Sequence, residues 1–166
     1  MKKILCGLII LVLSIKAHAQ QIPAVSAEQL IKYTSSKDTL YIINFWATWC
    51  PPCVQELPEF NDIKSKYKDA KVKVLLVSLD FKQDYPYKLA RFVEKKQLTP
   101  EVLWMSDTDP NQFIPKIDDT WGGSIPATIM VHPGKGFRHF TEGSVTARQV
   151  CKLADRVLSV SYKAGK

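Results

Sequence analysis

Apolar positions along the chain fall into two kinds of block, and the blocks set the expected elements. Thr39 to Trp46 (TLYIINFW) is apolar at nearly every position and of strand length, the pattern of a strand covered on both faces. Lys71 to Leu79 (KVKVLLVSL) reads the same way, and Val102 to Met105 predicts a shorter strand. Between the first two the period changes. Leu57, Phe60, Ile63 and Tyr67 recur at spacings of three or four, so a helix from Cys50 to Tyr67 buries one stripe. Tyr87 to Gln97 and Asn111 to Asp119 predict two further helices. Upstream, Ser26 and Gln29 have the spacing of a capping box, which starts a short helix reaching Thr34. Pro126 to Val131 and Phe137 to Phe140 predict strands joined by a turn at His132-Pro133-Gly134-Lys135-Gly136. Thr146 to Tyr162 closes the chain as an amphipathic helix with Val150, Leu153, Ala154, Val157 and Leu158 inward.

Strands that alternate with helices predict the α/β class, a mixed sheet flanked by helices on both faces. An extra element is expected between the second long strand and Pro126. There is no internal repeat and no linker long enough to divide residues 20–166, which are read as one domain.

Residues 1–19 have a different character. Met1-Lys2-Lys3 precedes the apolar run Ile4 to Ile15, and Ala17-His18-Ala19 follows with small residues at the two positions a signal peptidase reads. Twelve helical residues rise about 18 Å, short of the roughly 30 Å hydrocarbon core. A secretory signal peptide cleaved near Ala19 is therefore expected, placing the product in the periplasm or otherwise outside the cytoplasm. If uncleaved, the segment would serve as a membrane anchor. The whole chain has 166 residues, 46% apolar and 23% charged, the balance of one globular domain. Three of its 23 basic residues are Lys2, Lys3 and Lys16; without them the excess over 16 acidic residues falls from seven to four. Aromatic and basic residues do not interleave as on a nucleic-acid surface, and no nucleic-acid partner is expected.

Export changes the meaning of the cysteines. Apart from Cys6 in the apolar run, three remain, Cys50, Cys53 and Cys151, an odd number that excludes a dense disulfide framework. Cys50-Pro51-Pro52-Cys53 stands directly after a buried strand, where a helix begins. Two residues on a helical turn bring the sulfurs within reach of a disulfide. The first cysteine sits at the helix N-terminus, where unpaired N–H groups and the macrodipole favour a thiolate. A first-turn proline gives up only an N–H that had no helical partner. Cys50 is the candidate nucleophile and Cys53 the resolving thiol. Lowering a thiol pKa from about 8.5 to about 7 raises its thiolate fraction at neutral pH roughly 15-fold. Weaker basicity returns about fivefold of that, so the larger benefit is that Cys50 also leaves readily.

Several other readings stand beside redox exchange. Half a zinc site needs two more ligands, and His132, His139 and Cys151 lack the usual pairing, so no metal is assigned. An inert structural disulfide would close a loop too short to stabilise the fold much. Thiolates suit Cu(I), which leaves a copper-binding or metalloenzyme-assembly protein as an alternative in a different class. A thiol peroxidase is a third; the T-x-x-C spacing of peroxiredoxins is missing, because Thr48 lies only two positions before Cys50. Cys151 reads as a buried, inert thiol, and His132 and His139 as turn and strand-surface residues.

Asn44-Phe45-Trp46-Ala47-Thr48-Trp49-Cys50-Pro51-Pro52-Cys53, followed by Glu56-Leu57-Pro58 and the distant Ser124-Ile125-Pro126-Ala127-Thr128, resembles the thioredoxin superfamily and within it the exported TlpA/ResA-type thiol-disulfide oxidoreductases. The resemblance implies a thioredoxin-like sheet in which Pro126 is a cis-proline facing the dithiol. It implies substrate contacts at Trp49, Pro51, Pro52, Ile125 and Pro126, and a helix that continues through Pro58. Glu56 matches an acidic residue near the dithiol. It lies on the margin of the inward stripe, either as a desolvated carboxyl able to relay a proton to Cys53 or as a solvated helix residue. The buried aspartate that cytosolic thioredoxins carry on the preceding strand is here Asn44, which cannot titrate. Trp46 is read either as a shield of the site or as core. The implied activity is disulfide exchange with exported proteins, as a reductant of the type used in cytochrome c maturation, with apocytochrome c among the partners and a membrane electron donor. No cofactor beyond the Cys50–Cys53 disulfide is implied, and a monomer is expected.

Overall fold

The computed structural model describes residues 21–159. The segment read as a signal peptide and the end of the last expected helix lie outside the described residues. Six strands form one sheet: β1 (Ala24–Val25), β2 (Leu40–Trp46), β3 (Val72–Ser78), β4 (Glu101–Met105), β5 (Ala127–His132) and β6 (Phe137–Glu142). Their spatial order is β1-β4-β3-β2-β5-β6. The first four run parallel, β5 pairs antiparallel with β2, and β6 pairs antiparallel with β5. Five helices connect them: α1 (Ala27–Tyr33), α2 (Pro51–Lys66), α3 (Tyr87–Lys95), α4 (Pro110–Ile117) and α5 (Ala147–Ser159).

Strand β2 is buried at all seven positions because both faces of the sheet are covered. Leu40, Ile42 and Trp46 meet α2, α3 and α5 on one face, through Leu57, Phe60, Leu89, Val93 and Val150. Tyr41, Ile43 and Phe45 meet α1 and α4 on the other, through Leu30, Phe113 and Ile117. This alternation is the period of two that a strand imposes on its side chains. Asn44 therefore points toward α2. The expected extra element supplies β4, which extends the sheet beyond β3, together with α3 and α4, one on each face.

Most of the expected elements are present within a residue or two of their bounds. The capping box forms as expected: Ser26 accepts from the Gln29 N–H, and Gln29 returns a bond to the Ser26 N–H. Strand β1 was not anticipated, since two residues carry no periodicity; it is held by Trp104 and Ser106, whose N–H groups bond to Pro23 and Val25. His132 is a correction. It was expected in an exposed turn, but it ends β5 and is buried, and burial pushes its imidazole below the usual histidine pKa, with Lys135 adding to the effect. Cys151 is half-buried rather than buried.

Candidate active site

Where β2 ends, the chain turns through Ala47–Trp49 and enters α2 at Cys50. The turn is closed by the Cys50 N–H bonding to the Ala47 carbonyl at 3.2 Å. Cys50 is the N-cap of α2, with extended backbone, and its Sγ accepts from the Cys53 N–H at 3.3 Å. The expected nucleophile thus sits on the first unpaired amides of a sixteen-residue helix, the place where a thiolate is stabilised by N–H groups and dipole. Cys50 and Cys53 are joined in a disulfide with Cα atoms 5.3 Å apart. Cys53 is fully buried, whereas Pro51 and Pro52 are exposed. The helix runs on through Pro58 without a break.

The second wall of the site comes from the other end of the sequence. The Ile125–Pro126 bond is cis. The Ile125 carbonyl lies 3.7 Å from Cys50 Sγ, so a reduced thiol there has an acceptor beside it. A proline before β5 has no N–H to give, while its carbonyl still accepts from the Gly143 N–H at 2.8 Å.

Beneath the dithiol is a buried polar cluster. Glu56, one turn after Cys53 on α2, is only 5% exposed. Its Oε1 accepts from Asn44 Nδ2 at 2.8 Å, and its Oε2 from the Val145 N–H at 2.8 Å. Burial pushes the Glu56 carboxyl above its usual pKa, against the opposing pull of those two bonds. Of the two readings of Glu56 left open by its helical position, the desolvated one describes the structure. Asn44 also donates to Thr128 Oγ1 at 3.0 Å, which ties β2 to the start of β5. Trp46 is entirely core, packed against Phe92 with ring centroids 5.6 Å apart.

Two neighbouring residues at the site were not foreseen. Asp80, just past the end of β3, is buried and accepts from the Thr48 N–H at 3.1 and 3.2 Å, from Thr48 Oγ1 at 2.6 Å and from Ser78 Oγ at 2.7 Å. Its own carbonyl accepts from Trp104 Nε1 at 2.8 Å. Phe81 then stacks on Trp49, the centroids 5.6 Å apart and the planes 18° from parallel. Both rings are largely in solvent, at 58% and 50% exposure, and together they form an apolar ledge beside Pro51. The available signal was positional: in a parallel sheet, groups at the carboxyl ends of adjacent strands converge. Ser78-Leu79-Asp80 occupies that place next to Trp46.

Among the described residues, no group of three or more His, Cys, Asp or Glu side chains is arranged to hold a metal ion. The sequence pattern of the AhpC/TSA family matches residues 14–139, well over half of the chain. The chain belongs to the AhpC/TSA family. Among AhpC/TSA-like relatives, thiol-disulfide oxidoreductase ResA of Oceanobacillus iheyensis is 29% identical over 106 residues, covering 63% of this chain and 50% of its own length. Sporulation thiol-disulfide oxidoreductase A of Bacillus subtilis is 33% identical over 89 residues, covering 49% of this chain and 54% of its own. This AhpC/TSA chain thus spans about half the length of the curated relatives it matches. A thioredoxin-related protein from Neisseria meningitidis serogroup B superposes with a TM-score of 0.64 at 23% identity, covering 76% of this chain and 90% of that one. That likeness is one of fold, and the fold is thioredoxin-like.

Proposed function

We propose that the chain is a thiol-disulfide oxidoreductase acting on exported polypeptides. The observation that carries this reading is the placement of the Cys50–Cys53 disulfide at the N-cap of α2, with the cis Ile125–Pro126 loop 3.7 Å from Cys50 Sγ. A structural crosslink has no use for a helix N-terminus or for a peptide carbonyl held beside one of its sulfurs. A redox site has a use for both.

As a reductant, the Cys50 thiolate attacks one sulfur of a substrate disulfide. A Cys50–substrate bond forms, the substrate S–S bond breaks and one substrate thiolate leaves. Cys53 gives its proton to Glu56 and attacks Cys50 Sγ, so the Cys50–Cys53 bond forms and the second substrate thiol is released. Two electrons have passed to the substrate. A membrane electron donor returns them by reducing the disulfide. The raised pKa of Glu56 suits this exchange, since a carboxyl nearer to neutrality accepts and returns a proton more readily. Trp49, Pro51, Pro52 and Ile125 form the contact surface, with Pro126 buried behind Ile125, and apocytochrome c cysteines are the proposed substrates. The lysine-led apolar run of residues 1–19 supports export, with residues 20–166 as the working domain and a monomer as the working unit.

The test is a pair of variants. Cys53→Ala accumulates covalent adducts with exported proteins through Cys50, visible as bands that disappear on reduction, and Cys50→Ser accumulates none. Wild-type turnover of a disulfide substrate by both variants would overturn the reading.

A further inference from the structure

Glu142 is the last residue of β6 and far in sequence from the dithiol, yet its carboxylate reaches back to the loop that enters Pro126. Oε2 accepts from the Gly122 N–H at 3.0 Å and Oε1 from the Ser124 N–H at 2.7 Å. Each oxygen serves one donor. Of the common side chains only Asp and Glu offer acceptor lone pairs on both terminal atoms; an amide of the same shape would turn an N–H₂ toward one of the donors. Gly122 is suited to the approach, since a Cβ there would lie 3.3 Å from both carboxylate oxygens. Two further bonds fix the same stretch: Trp121 Nε1 donates to the Ser124 carbonyl at 2.9 Å, and the Gly143 N–H donates to the Pro126 carbonyl at 2.8 Å. Ile125 is thereby held between two fastened neighbours, with its carbonyl beside Cys50 Sγ. The two amides also draw the Glu142 carboxyl below its usual pKa, so the grip persists into mild acid.

We propose that Glu142 is a positioning residue for polypeptide substrates, holding residues 122–126 in the conformation against which an extended chain docks. This rests on the oxidoreductase reading and adds a division of labour to it. Glu142 acts through the loop and leaves the reactivity of the sulfurs alone. A chain bound along Ile125 needs the loop preorganised, whereas a small disulfide needs only Cys50.

Three measurements on Glu142→Ala and Glu142→Gln test the proposal: reduction of insulin, reduction of a small aromatic disulfide, and the redox equilibrium with glutathione. In the Ala variant the KM for insulin rises about fivefold or more with kcat retained, because two charge-assisted bonds to the loop are lost. The small-disulfide rate and the glutathione equilibrium stay within about twofold of wild type, because the N–H that bonds Cys50 Sγ belongs to Cys53 on α2 and not to the loop. The Gln variant, which keeps one acceptor, falls between. An unchanged insulin KM in the Ala variant overturns the proposal. So does an equal slowing on both disulfides, which would mark a purely structural role. A wild-type protein that reduces the small disulfide but not insulin overturns the loop assignment alone. One that reduces neither overturns the proposed function itself.

Discussion

Asp80 grips Thr48 twice, through the backbone N–H and through the hydroxyl at 2.6 Å, and so fastens the turn that delivers Cys50 to one strand further along the sheet. Among the described residues the carboxylate has no cationic partner within salt-bridge distance. It is held in a buried position by neutral donors from Thr48 and Ser78.

Removing it leaves those donors facing an empty, water-poor space. Each unsatisfied buried group costs about 1–3 kcal/mol, so Asp80→Ala is expected to lower the unfolding free energy by about 2–4 kcal/mol. Asp80→Asn keeps one acceptor and lets the Thr48 hydroxyl reverse its role, so its cost is expected near 1 kcal/mol. Urea unfolding of the oxidised protein reads both. A loss below about 0.5 kcal/mol in the Ala variant would show that the grip contributes nothing.

Glu56 predicts a pH dependence with a definite sign. Its carboxyl pKa in the folded protein is raised above the ordinary 4.5 by burial. The folded state therefore holds the proton more tightly than the unfolded chain does. The stabilising effect of that proton is complete below the unfolded value and is lost as pH rises through the folded one. Glu56→Gln has no such loss. Its stability relative to wild type should climb as pH is raised from 4 toward neutrality, and the resolving step of the proposed exchange should slow by about 10²-fold, the lower end of the range for general acid–base catalysis. Parallel stability curves for the two proteins across that window would contradict the burial argument.

Trp49 and Phe81 make a stacked pair in which each ring is mostly wet. Such pairs contribute about 0.5–1.5 kcal/mol beyond area burial, and solvent places this one at the low end. A double-mutant cycle with Trp49→Ala and Phe81→Ala should return a coupling near 0.5 kcal/mol, with single-site costs under about 1 kcal/mol each. Additive costs would mean that the two rings are merely adjacent.

Gly134 is fixed by space. A Cβ there would sit 2.0 Å from the Lys37 carbonyl oxygen, a backbone atom that cannot swing aside. Gly134→Ala is expected to cost about 2–3 kcal/mol or more, the range of overpacked sites, measured as a lowered midpoint of thermal unfolding.

The contrast between Cys50 and Asp80 shows what a sequence displays and what it hides. The dithiol was legible because its chemistry is local: two sulfurs three residues apart, a strand before and a helix after. The continuous apolar run of β2 and the three-four spacing in α2 likewise record burial directly. Glu56 was ambiguous from its place on the margin of a stripe, because the groups that bond its carboxylate in the buried site come from elsewhere in the chain, Asn44 from β2 and the Val145 N–H from the loop before α5. Asp80, Phe81 and Glu142 were invisible for the same reason carried further. Each acts on a segment 18 or more residues away, and an aspartate after a strand looks the same whether it faces water or a buried hydroxyl. His132 misled through its neighbours, since Pro133-Gly134 marks a turn while the strand before it extends one residue further inward.

Register has a consequence of its own here. Trp46 lies opposite Ser78 in the β2–β3 ladder, and Leu79 bonds to the Trp46 carbonyl just beyond it. One residue gained or lost within β3 would turn every side chain on that strand to the opposite surface. Asp80 would then swing out from under Thr48 while Cys50 and Cys53 stayed untouched in the gene. Single-codon insertions or deletions between positions 72 and 78 should therefore disable the chain as surely as the loss of a sulfur, and a scan of indels would map the proposed redox centre well beyond Cys50 and Cys53.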